Sequence, residues 1–90
     1  MHERRAFPRR EVNHRGILSF DEGRSAVTCR LVNMSEGGAL VRVDAPQGLP
    51  ELVSLFYDKL DEHIPEVVTA ACMVVRREPR AAALKFLHVA

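Results

Sequence analysis

The sequence predicts an all-β fold, a small barrel or sandwich, and three observations predict it. Apolar and polar residues alternate over residues 25–33, and β-branched residues crowd residues 67–77. Turn clusters rich in glycine, proline or acidic residues separate about six such stretches, at intervals of about 8–15 residues. Ninety residues hold one domain. A chain of that size buries only about 60–65% of its extended surface. Closing the sheet on itself would then leave no open strand edge.

Residues 1–12 read as a basic arm and residues 13–90 as the barrel body. Pro8 has no amide donor and steers Phe7 away from the α region, which keeps the arm extended or turned. Gly16-Ile17-Leu18-Ser19-Phe20 is the first strand signal, and Asp21-Glu22-Gly23 is the turn that ends it. In the second strand Val27, Cys29 and Leu31 share one face, while Thr28 and Arg30 share the other. Residues 34–38 form a glycine turn, and a third strand aligns Ala39, Val41 and Val43. Two prolines and a glycine make residues 44–50 a loop. Residues 52–57 fit a strand or a helical turn by periodicity. Their short length between Pro50 and the polar stretch 58–62 favours strand. A long strand over 67–77, a Glu78-Pro79 turn and a last strand over 81–89 complete the chain, although the alanines at 81–83 would also tolerate helix.

The formal net charge of +1 conceals an asymmetry. Residues 1–15 carry five arginines against two glutamates, a net +3; the remainder carries eight basic and ten acidic residues, a net −2. A basic arm on a mildly acidic body suits a localised anionic ligand better than a polyanion such as DNA. Cys29 and Cys72 form no paired motif and read as buried, reduced thiols. No apolar run reaches the roughly 20 residues of a membrane span, and the charged N-terminus lacks the apolar segment of a signal peptide. The expectation is a cytoplasmic protein without membrane insertion.

Two segments carry chemistry. The first, Glu3-Arg4-Arg5-Ala6-Phe7-Pro8-Arg9-Arg10, clusters guanidinium groups. These planar, permanently charged forks grip phosphate oxygens bidentately, stack on purines, and match guanine O6 and N7. On its own such a run also reads as a solvated tail. The second is Asn33-Met34-Ser35-Glu36-Gly37-Gly38 at the end of a strand. Asn33 and Ser35 project the same way if the period of two persists, and the glycines permit positive φ or close approach of a ligand. Taken alone it is equally an ordinary hairpin turn.

In combination the two segments resemble the PilZ domain family. RxxxR is present as Arg5 to Arg9, preceded by Arg4, and [D/N]xSxxG as Asn33, Ser35 and Gly38. The Phe7-Pro8 pair, the Cys29-Arg30-Leu31-Val32 lead-in and the closing segments Val74-Val75-Arg76-Arg77 and Leu84-Lys85-Phe86 extend the likeness over residues 3–87. The resemblance implies a six-stranded antiparallel, Greek-key-like β-barrel with a flexible N-terminal arm. It also implies a ligand, cyclic di-GMP, often taken up as an intercalated pair. Arg4, Arg5 and Arg9 would clamp phosphate and guanine, Asn33 and Ser35 would meet a guanine edge or phosphate, and Gly38 would leave room for the base. Arg10 and Gly37 flank the motifs as secondary positions. Folding of the arm over the barrel would present a new surface to a downstream protein.

Two departures from the family pattern are visible. Asn33 stands where aspartate is frequent, and its amide nitrogen is a donor that cannot accept from guanine. The helix that often follows such barrels finds no counterpart before Ala90. The main alternative is a PilZ-like interaction module that binds no nucleotide. A barrel for single-stranded nucleic acid is disfavoured by the few aromatic residues, most of them in core patterns. His2, His14, His63 and His88 have no zinc-ligand spacing, and Ser35 has no nearby base. The sequence therefore predicts a binding protein, not an enzyme, without metal, cofactor, DNA or RNA.

Overall fold

The computed structural model describes residues 10–58 and 66–90, with Arg10 and Glu11 described by their backbone. Six strands form it: β1 (Arg10–Phe20), β2 (Ser25–Met34), β3 (Gly38–Arg42), β4 (Leu52–Asp58), β5 (Val67–Glu78) and β6 (Ala81–Val89). They close into a barrel in the order β1-β2-β3-β6-β5-β4, and every neighbouring pair is antiparallel. Because β4 pairs with β1, the first four strands lie in the order 4-1-2-3, a Greek key. The expected fold class is therefore present. The stretches that helix could also have claimed, 52–57 and 81–89, are strands, since closure of the barrel satisfies their backbone groups on both sides.

The alternating apolar residues fill the interior. Leu18, Leu31, Val41 and Leu55 are fully buried, and Cys72, Ala70, Ala82 and Leu84 pack with them. Gly16 makes room for this packing: a Cβ there would lie 2.6 Å from Leu31 Cδ1 and 3.3 Å from Leu55 Cδ1. β3 and β4 stand on opposite sides of the ring, so their connection crosses one end of the barrel through a 3-10 turn, Pro46–Gly48. Pro46 and Leu49 are buried there. Arg77 latches this crossing, its Nε donating to Pro46 O at 3.2 Å and its Nη2 to Leu49 O at 2.9 Å.

β1 starts at Arg10, six residues before the apolar run that signals it in the sequence. Residues 10–12, grouped with the arm by composition, are thus part of a strand paired with β2. Pairing needs backbone groups rather than apolar side chains, and Val12 is the one apolar residue of 10–15, packed against the core. The register slips by one residue in four places, twice along β1-β2-β3 and twice along β5-β6. Such bulges tighten the twist that a small closed barrel requires.

Candidate functional site

The β2-β3 slip decides where the second motif points. Leu31 pairs with Val41, yet Asn33 pairs with Leu40, so Val32 is an extra residue on β2. Before the bulge the odd-numbered Cys29 and Leu31 face the core; beyond it Met34 does. The period of two is therefore interrupted, and Asn33 leaves the core face for the outer one beside Leu40. An uninterrupted strand would have aimed Asn33 into an apolar interior.

At the rim, residues 35–38 form a tight turn. Ser35 N–H donates to Gly38 O at 2.8 Å, and Gly37 N–H donates to Ser35 Oγ at 3.2 Å. The serine oxygen thus braces its own turn, while its hydroxyl proton remains a donor. Gly37 and Gly38 do not adopt positive φ; Gly23 is the only glycine among the described residues that does. Gly38 is required for another reason: a Cβ there would overlap the Leu84 carbonyl oxygen of β6. The first obstacle to a side chain at Gly38 is the barrel's own backbone. Gly37 O accepts from Phe86 N–H at 2.9 Å, tying the turn to β6 as well.

Asn33 is half-buried, and its Oδ1 is fully buried with no hydrogen-bond partner among the described residues. A buried carbonyl oxygen left unpaired costs about 1–3 kcal/mol, so an arriving N–H donor would be strongly favoured. The same rim holds the root of the arm, because Arg10 pairs with Met34 and Glu11 with Asn33. Arg4, Arg5 and Arg9 lie outside the described residues. Covalent geometry alone keeps the Arg9 Cα about 3.8 Å from that of Arg10, and Arg5 within about 18 Å.

One cation reaches this rim only through strand pairing, which the sequence does not reveal. Lys85, exposed on β6, is the register partner of Gly38, brought there by the pairing of β3 with β6. Arg76 and Arg77 have other occupations, Arg76 in an ion pair with Glu78 at 2.9 Å and Arg77 in the latch. Among the described residues no cluster of three or more His, Cys, Asp or Glu side chains could hold a metal ion. Among the described residues no helix is long and apolar enough to cross a membrane.

Comparison with known proteins follows the same lines. A profile of the PilZ domain matches residues 3–90. The inhibitor of motility from Bacillus subtilis, MotI/DgrA, superposes with a TM-score of 0.78 at 20% sequence identity. The match covers 99% of this chain and 45% of that one, so this chain spans less than half of that protein. The PilZ domain of CeSA from a cellulose-synthesizing bacterium superposes with a TM-score of 0.65 at 16% identity, covering 90% of this chain and 81% of that one. At these identities the likeness concerns the fold. Among curated proteins none matches the sequence.

Proposed function

The chain belongs to the PilZ domain family, and from that premise we propose that it is a cyclic di-GMP receptor that passes ligand occupancy on to a partner protein. The observation that carries this reading is the buried Asn33 Oδ1, which has no hydrogen-bond partner among the described residues and lies one register pair from Arg10, at the root of the arginine arm. An acceptor without a donor stands at the rim where the arginine-rich segment joins β1. A guanine edge provides the missing donor, and the phosphates provide the anion that the arm lacks.

In this reading Arg4, Arg5 and Arg9 clamp the phosphates and stack on or hydrogen-bond the guanines. Asn33 Oδ1 accepts from a guanine N–H, and the Ser35 hydroxyl donates to phosphate or base. Lys85, beside Gly38, adds a cation from β6. Neutralising the guanidiniums removes their mutual repulsion and lets the arm settle on the rim, changing the surface offered to a partner. None of these residues is asked to do covalent chemistry, and the protein acts as a binding module in the compartment where the dinucleotide is made, the cytoplasm.

Calorimetric titration with cyclic di-GMP, in parallel with GTP and cyclic AMP, tests the proposal. Saturable binding of cyclic di-GMP alone is the expected result, and its stoichiometry separates one bound dinucleotide from two. Equal response to all three, or none to cyclic di-GMP, would leave the nucleotide-free interaction module as the better description.

A further inference from the structure

On the outer face of the barrel, away from the rim, three arginines stand in register across three strands. Arg15 of β1 pairs with Arg30 of β2, and Arg30 pairs with Arg42 of β3. Directly paired residues project from the same face, and adjacent strands lie about 4.8 Å apart. A fourth, Arg80, is held at the end of the row because Val43 N–H donates to its carbonyl oxygen at 3.0 Å. All four are exposed and line one open cavity of about 630 Å³ with Thr28, Cys29, Val43 and Asp44.

Like charges placed directly opposite each other destabilise a sheet. Nothing in the described residues discharges this row: no carboxylate lies within ion-pair distance of Arg15, Arg30, Arg42 or Arg80, and Arg30 Nη1 donates only to the neutral Asn13 Oδ1 at 3.0 Å. The body that carries the row is otherwise mildly acidic. Four of the chain's thirteen Lys and Arg residues thus share one patch.

We propose that the Arg15–Arg30–Arg42–Arg80 cavity is a docking surface for an acidic segment of a partner protein. The Cβ atoms of acidic residues at i and i+4 on a helix are about 5–6 Å apart, close to the strand-to-strand spacing of the row. Single-stranded nucleic acid fits less well, since no aromatic side chain lines the cavity to stack a base. A compact polyphosphate would meet Asp44 in the same wall, whereas a peptide can offer its own donor to that carboxylate. The surface stands independently of the nucleotide reading: the Leu31–Val41 pair, directed into the core, separates Arg30–Arg42 from Asn33–Leu40.

Fluorescence anisotropy tests this with a labelled alanine-rich helix carrying glutamates at i and i+4, its glutamine counterpart, inorganic triphosphate and a single-stranded RNA oligomer. The glutamate helix binds, binding weakens as salt is raised, and the Arg30→Gln/Arg42→Gln variant loses about tenfold in affinity, the sum expected of two exposed ion pairs. The same variant keeps its thermal midpoint or gains, because a like-charge contact is relieved, and keeps its cyclic di-GMP titration unchanged. Equal binding of the glutamine helix, no effect of the double substitution, or tighter binding of triphosphate or RNA would overturn the proposal. Loss of cyclic di-GMP binding in the variant would overturn it too, by assigning the row to the nucleotide site.

Discussion

Arg10 lies directly opposite Met34 in the antiparallel register of β1 and β2. The strand that continues the arginine arm therefore enters the barrel beside the turn that carries Ser35 and Gly38. Arg10 and that turn, more than twenty residues apart in sequence, meet at one rim by backbone pairing.

The arm variants follow from that pairing. Each charge-assisted hydrogen bond to phosphate is worth about 1.5–3 kcal/mol, so Arg5→Ala and Arg9→Ala should each weaken cyclic di-GMP binding about 10- to 150-fold. Thermal stability should not change, since Arg5 and Arg9 precede the first strand. Calorimetry on both variants checks this, and unchanged affinity in both would remove the arm from the site.

Asn33→Ala should separate stability from binding. The substitution deletes a buried acceptor that has no partner among the described residues, so the thermal midpoint should hold or rise. Affinity for cyclic di-GMP should fall by about tenfold or more as a guanine donor loses its acceptor. A large drop in midpoint with unchanged affinity would mean that Asn33 serves the fold.

Gly38→Ala should act through the barrel. The added methyl meets the Leu84 carbonyl oxygen, which is backbone and cannot swing aside, so a loss of about 1–3 kcal/mol is expected. Chemical denaturation measures it, and hydrogen exchange should locate the damage at β3 and β6. If stability is intact and only nucleotide affinity falls, the glycine serves the ligand instead.

Alkaline pH should weaken the fold through its thiols. Burial pushes Cys29 and Cys72 up from the ordinary value of 9.0 to about 11, and the neighbouring Cys72 adds to the shift at Cys29. Over that interval the folded thiol keeps a proton that the unfolded one has lost. Stability is therefore intact below pH 9 and declines between about 9 and 11. Comparing denaturation midpoints across this range with those of Cys29→Ala/Cys72→Ala should show a shallower decline in the double variant. Equal slopes would rule the thiols out as the cause.

The all-β reading was available from local pattern because strand alternation is written residue by residue: Val27, Cys29 and Leu31 are where period two puts them. The start of β1 was not, since Arg10 to Arg15 is paired through backbone groups that every sequence shares. The bulge at Val32 escaped for a related reason. An inserted residue leaves composition unchanged and is defined only by what the neighbouring strand offers opposite it.

By itself the sequence determined the all-β class, the apolar residues that fill the barrel, and the two motifs that mark the PilZ family. Only the tertiary structure decided that Asn33 turns outward, that Gly38 is confined by Leu84 and neighboured by Lys85, and that Arg15, Arg30 and Arg42 form one row. The physical reason is that facing and alternation belong to a single strand, whereas register is a relation between strands. A slip of one residue reverses every side chain beyond it and can align charges that lie far apart along the chain.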